Sequence, residues 1–341
     1  MNIFDPLTHL KAQAQRDESM DIFNTLENEL KSSLQIYWEK AGKIINGGSI
    51  RLLDPPDGYY DAKNNFFSAL FLYSYYRAGI VPNRRILYSA MNQCLRGMVT
   101  GCDNILDDEY KRTLETSLPE NGTRFRSVLD IMVSDRVMFE LSIEAFREQE
   151  KIILASIISL RALMESGYQE ATEEGGIDEI LPPDTILKTV HHYKTGILFT
   201  CPWAIPSVME TIDEDKKRGL NEALYNIGMG CQVMDDMADL ERDIKNRHHN
   251  YVASVIYHES GAEIWERLKS EILNSEKDHK KTDILVCYTD VKNRAVDRAR
   301  AYLVSGLNGL FEEEHRFLVE PVIKFLSTRI GVERYFQGVR T

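Results

Sequence analysis

Along most of the chain from about residue 21, apolar residues recur every three or four positions, and no stretch alternates strictly between apolar and polar. Such a pattern buries one stripe of each helix and leaves no half-buried strand. The repeat predicts helices over 21–45, 62–78, 84–110, 124–147, 150–171, 184–200, 215–246, 261–275, 288–306 and 317–330. Proline and glycine clusters at 46–58, 118–122 and 175–183 separate some of them, at points where the chain turns. None of these breaks has the character of a linker, and neither an internal repeat nor a low-complexity tract is present. The expectation is an all-α fold, one domain over 1–341, with 1–20 as a flexible N-terminal segment.

Two of the predicted helices carry candidate chemistry. In the first, Ile86, Leu87, Ala90, Met91, Cys94, Leu95, Met98, Val99, Cys102 and Ile105 form a buried stripe, and near its end Asp103 and Asp107 stand one turn apart on one face. In the second, Gln232, Asp235, Asp236, Asp239 and Asp243 recur at intervals of three or four and form another strip. Like charges at this spacing weaken a helix, and burial raises the cost unless a cation compensates. Two such strips point to a divalent metal, and Mg²⁺ suits them because it is held by one or two carboxylates with water and phosphate oxygens. A solvated acidic face is the competing reading of either strip alone. A zinc site fits less well, because His191-His192 and His248-His249 lie away from any paired cysteines.

Charge and composition narrow the classes. A formal net charge of -12 excludes a sequence-independent grip on nucleic acid, while phosphate ligands remain open if metal ions mediate the contact. The odd, scattered set Cys94, Cys102, Cys201, Cys231 and Cys287 reads as reduced thiols of a cytoplasmic protein. The N-terminus has no secretory pattern, and the most apolar runs, 66–80 and 152–164, fall short of the roughly 20 residues a membrane span needs. Between the two strips, Lys194 and Thr195 enter an apolar run just before Gly196, where a lysine can act as a point charge on a diphosphate or simply sit at a helix end in solvent.

Asp103-Asn104-Ile105-Leu106-Asp107, Lys194-Thr195-Gly196 and Gln232-Val233-Met234-Asp235-Asp236-Met237-Ala238-Asp239, in that order, resemble the first aspartate motif, the KTG element and the second aspartate motif of the trans-isoprenyl diphosphate synthases (polyprenyl synthetases). That family lies within the class I terpenoid synthase superfamily, and the resemblance covers roughly residues 84–250. It implies a helical bundle around a deep apolar cavity and a homodimer. Asp103 and Asp107 would bind Mg²⁺ on one wall, with Asp235, Asp236 and Asp239 on the facing one, the ions numbering three with the diphosphate. Lys194, Thr195 and Gln232, with Lys245 and Arg112, would meet the diphosphate of an allylic prenyl diphosphate substrate. Lys111 and Arg112 stand near where the family places a basic pair.

The activity implied is Mg²⁺-dependent ionisation of the allylic diphosphate, with the cation kept from water in an apolar pocket. Phe66, Phe67, Phe71, Tyr75 and Phe199 are candidates for lining it or for ordinary core, and Met98 and Val99 precede Asp103 where the family sets chain length. The family's Gly-Lys-x-x-Arg element for isopentenyl diphosphate has its nearest match in Gly47-Gly48-Ser49-Ile50-Arg51, which lacks the lysine. Arg334-Tyr335 is similar to a pair that some terpene cyclases close over diphosphate, adding Arg334 to the candidate contacts. Cyclisation or prenyl transfer after ionisation is therefore the first expectation. The alternatives are a chain-elongating synthase, a squalene or phytoene synthase-like enzyme, a noncatalytic partner subunit, and a structural helical protein with solvated acidic faces.

Overall fold

The computed structural model describes residues 20–107, 110–274 and 284–337. Among them the regular elements are helices, and the β contact is an isolated bridge between Leu52 and Thr116. The chain divides into two compact units. One holds the residues up to Leu163 with Cys201–Leu220, and the other holds Met164–Thr200 with the chain from Asn221 onward.

The first unit is built on α1 (Met20–Ile45), α2 (Phe66–Arg77), α3 (Pro82–Leu106), α4 (Thr123–Ala145) and the first part of α5 (Gln149–Glu173). Proline at the first position starts α3, where its missing N–H is no loss. The middle of the predicted stripe is inside, with Met91, Cys94, Leu95 and Met98 buried, as are Leu30 and Leu34 of α1 and Val137 and Leu141 of α4, but Cys102 and Ile105 at its end are exposed. Each such aliphatic side chain contributes about 1.5–3 kcal/mol. Helices α3 and α4 approach closely at Gly101, where a Cβ would stand 2.7 Å from the carbonyl oxygen of Ser127. Tyr75 is core: its hydroxyl donates to the carbonyl of Pro202 at 2.6 Å, and its ring packs against Trp203.

The second unit contains the end of α5, the C-terminal part of α6 (Glu214–Ala238), α7 (Leu240–Asn246), α8 (Tyr251–Ser260), α9 (Ala262–Asn274), α10 (Thr289–Leu310) and α11 (Val319–Ile330). Leu224, Ile227, Val233, Met234 and Met237 of α6 are buried. Gly230 and Gly306 let α6 and α10 meet almost backbone to backbone, since a Cβ on Gly306 would lie 2.6 Å from the Ala223 carbonyl oxygen.

Two predicted elements are corrected and one helix is added. The helix expected over 215–246 is broken at Asp239, between α6 and α7. The segment expected as one helix over 184–200 winds through wide π turns at Ile186–Val190 and His192–Ile197 and then a tight 3₁₀ helix at Leu198–Trp203. Helix α8 lies in a gap between predicted helices, capped by Asn250, whose side-chain oxygen accepts from the Ala253 N–H at 3.0 Å. Among the described residues no helix is long and apolar enough to cross a membrane.

Candidate functional site

In the first unit, Asp103 is half-buried on the last turn of α3, and Asp107 is exposed just past its end, its N–H donating to the Asp103 carbonyl at 2.9 Å. Asp108 and Glu109 lie outside the described residues. Asn104, where the family has a second aspartate, is buried and clasps the returning chain: its oxygen accepts from the Lys111 N–H at 2.7 Å and its amide donates to the Lys111 carbonyl at 3.0 Å. Arg112 is ion-paired with Glu115 at 2.9 Å and Glu120 at 2.6 Å. It lines a cleft of about 170 Å³ together with Tyr59, Asn65, Gln93 and Arg96, and Arg96 donates to Asn65 at 2.7 Å. The Gly47–Arg51 loop is fastened nearby, with the Ser117 N–H donating to the Arg51 carbonyl at 2.9 Å.

In the second unit the aspartate strip splits in two. Asp235 and Asp239, one turn apart, stay open to solvent, exposed and half-buried respectively. Two residues expected to face a ligand are buried: Asp236 is 2% exposed and Gln232 is 8% exposed. Asp236 accepts from the Gln232 amide at 3.0 Å and from the Tyr251 N–H at 2.5 Å, and pairs with His191 Nε2 at 2.9 Å. Its carboxylate thus sits on the N-terminus of α8, where the orphan N–H groups and the helix dipole favour an anion. The other end of Gln232 accepts from the Thr195 hydroxyl. Asn250 completes the frame by donating to the Asp236 carbonyl oxygen and to the Asp243 carboxylate, each at 2.8 Å.

Lys194 is partly exposed and paired with Glu170 at 3.1 Å. Burial alone would lower its pKa, but the carboxylates of Glu170 and Glu173 override that and hold it above the usual lysine value. Solvent reaches Asp235, yet the protein crowding it weakens its hydration, and with repulsion from Asp239 and Asp236 this pushes its carboxyl up to about 6. Buried Asp243 is pushed up to about 7, by desolvation first and then by Asp236. Negative charge on this strip is therefore undercompensated by the protein.

That observation and the hard oxygen donors of Asp235 and Asp239 fit Mg²⁺, which needs few protein ligands and retains water and phosphate oxygens. Among the described residues, three ligand atoms come within 4.8 Å of one another only at Glu312, Glu314 and His315, a set distinct from the aspartates. A cleft of about 500 Å³ gathers Asp239, Arg242, Lys245, Arg334 and Tyr335. Arg242 pairs with Asp239 at 2.5 Å, and Arg334 stacks 4.7 Å over the Tyr335 ring while donating to its hydroxyl at 2.7 Å.

Sequence reasoning missed His191, Glu170, Glu173, Asn250 and Arg96. For His191 a signal existed, since it precedes Thr195 by four residues and so shares its side of the segment. For Asn250 it was the cap position before an apolar run. The pairing of Glu170 with Lys194 has no local signature.

The polyprenyl synthetase family model matches residues 170–252. Solved structures with the same fold include a polyprenyl synthase from Caulobacter crescentus complexed with calcium and isoprenyl diphosphate, at 15% identity and a TM-score of 0.62 over 90% of this chain and 97% of that one. Geranylgeranyl pyrophosphate synthetase from Pyrococcus horikoshii shares 17% identity at a TM-score of 0.60, covering 89% and 98%. Heptaprenyl diphosphate synthase from Staphylococcus aureus shares 14% at 0.58, also covering 89% and 98%. No curated protein matches the chain. The resemblance read from the motifs is thus borne out: residues 170–252 carry the polyprenyl synthetase pattern, within the all-helical isoprenoid synthase fold of the prenyl synthases.

Proposed function

We propose that the protein is a Mg²⁺-dependent, chain-elongating prenyl diphosphate synthase, joining an allylic prenyl diphosphate to isopentenyl diphosphate. This replaces cyclisation as the first expectation. The matched family and the similar structures are prenyl synthases. The observation that carries the choice is the cleft of the first unit, lined by Arg96 and Arg112. Two guanidiniums beside Asn65 and Tyr59 can hold a second diphosphate without the lysine missing at Gly48.

In this reading Asp103 and Asp107, and Asp235 and Asp239, are the Mg²⁺ ligands, while Asp236 and Gln232 position them. Bound Mg²⁺ supplies Lewis-acid stabilisation of the charge that develops on the departing diphosphate. Lys194, released from Glu170, adds a point charge to that group as the allylic C1–O bond breaks and the diphosphate leaves with the electron pair. The double bond of isopentenyl diphosphate, anchored through Arg96 and Arg112, then attacks C1, and loss of a proton from the adduct restores an alkene.

The face of α4 bearing Phe125, Met132, Phe139 and Ile143 is apolar, with each more than 40% exposed, and Ile153 and Leu154 of α5 are exposed as well. So much apolar surface favours burial against a second copy, as a homodimer. Met132→Glu should then give a monomer in sedimentation velocity.

The test of function is incubation with Mg²⁺ and geranyl, farnesyl or geranylgeranyl diphosphate, with and without isopentenyl diphosphate. Longer diphosphates that form only when isopentenyl diphosphate is present are expected. Hydrocarbons or alcohols made from the allylic substrate alone would overturn elongation in favour of cyclisation.

A further inference from the structure

His191 precedes Thr195 by four residues, Gln232 precedes Asp236 by four, and the four side chains pair crosswise: Thr195 with Gln232, His191 with Asp236. A third contact continues the series, since a Cβ on Gly228 would come within 2.8 Å of the Phe199 ring. Residues 191, 195 and 199 thus meet 236, 232 and 228, stepping in opposite directions, and the two segments run antiparallel in one register. Lys194 lies between the rungs on one segment and Asp235 on the other.

We propose that His191 is a positioning residue: by holding Asp236 it fixes the register of Lys194 against Asp235 and Asp239, and so the spacing between the cation and the carboxylates that grip a Mg²⁺-diphosphate. This rests on the functional reading above. His191 is fully buried, and its Nδ1 makes no hydrogen bond. Here the polar function of the ring is directed at one acceptor, the Asp236 carboxylate that Nε2 reaches at 2.9 Å. The segment that needs holding is the one wound in wide π turns at His192–Ile197, which local sequence does not favour and which recur at functional sites. Without the outer rung, the register would rest on Thr195 with Gln232, the apolar contact at Gly228, and the contacts of His192 and Gly196 with Tyr225, all farther from Asp239 along the helix. The rung at His191 is the one nearest Asp239.

The experiment is calorimetric titration of the apoprotein with inorganic diphosphate in Mg²⁺, with the apo melting temperature read separately. His191→Leu is expected to weaken binding about tenfold, the scale at which residues orienting metal ligands act. His191→Gln, whose amide can reach Asp236 from the Nε2 position, is expected to restore most of it. If His191→Leu does not fold, His191→Asn, whose amide is too short, takes its place against His191→Gln. Equal affinity in the wild type and the Leu variant, or in the Asn and Gln variants, would overturn the role while leaving the function standing. A wild-type protein that binds no Mg²⁺-diphosphate would take down the functional reading and this assignment with it.

Discussion

The two aspartate strips look alike in sequence and are built differently. At the end of α3, Asp103 and Asp107 occupy a helix terminus, and the neighbouring Asn104 is the residue turned inward, clasping the chain at Lys111. In the second unit the inward residue is itself an aspartate, Asp236, held by Gln232, His191 and the Tyr251 N–H. Each strip therefore sets two outward carboxylates beside buried polar groups that fix the backbone, Asn104 in the first and Gln232, Asp236 and Asp243 in the second. Acidic character alone does not mark a ligand; the partners do.

The division has its largest consequence in turnover. Asp103→Ala and Asp235→Ala should each lower the prenyl transfer rate about 10³-fold, because a Lewis-acid contact is worth several kcal/mol in the transition state. Their apo stabilities should change little, and Asp235→Ala should even relieve repulsion with Asp239. Full activity in either variant, measured with isopentenyl diphosphate present, would end its assignment as a ligand.

Asp236→Ala should do the reverse and strike stability first. It strands the Gln232 amide, the His191 N–H and the Tyr251 N–H in a buried site, at a cost of about 3–5 kcal/mol. Denaturant unfolding of the apoprotein measures this directly. A loss no greater than that of Asp235→Ala would erase the distinction between inward and outward aspartates.

How much of this could be read beforehand follows from what each feature depends on. The all-helical fold was legible because the apolar stripe of α3, from Met91 to Met98, is a local property of period 3.6. Helix α8 was not, since Tyr251 through Ile256 are consecutively buried and leave no polar face to set a period. The spacing of Asp235 and Asp239 gave one shared face, but which aspartate turns inward is decided by His191, 45 residues away. The wide turns around Lys194 likewise depend on partners distant in sequence, Gln232 and Asp236.

A smaller effect should appear in the pH dependence of the apoprotein. Asp243 is pushed up to about 7 by burial and by Asp236, so the folded state holds its proton more tightly than the unfolded chain does. The native state then binds more protons than the unfolded state between about pH 4 and the raised value, and stability falls across that window as pH rises. Asp243→Asn removes the term, and the stability of the wild type relative to this variant should decline from pH 4 to about 7 and level off above. A difference that rises with pH would mean that Asp243 is compensated by cations rather than crowded by carboxylates.

The smallest expected effect tests the comparison at its other end. Asn104→Asp would give the first strip the second aspartate that the family's motif has. Asn104 uses both ends of its amide on Lys111, and a carboxylate can accept from the Lys111 N–H but cannot donate to the Lys111 carbonyl. Two oxygens would then face each other in a buried site, which should cost about 1–3 kcal/mol of apo stability and leave the Mg²⁺ concentration for half-maximal activity where it was. A variant that instead needs less Mg²⁺ would place position 104 among the metal ligands. The inward residue of the first strip would then be a lost ligand rather than a clasp, and the parallel with Asp236 would fail.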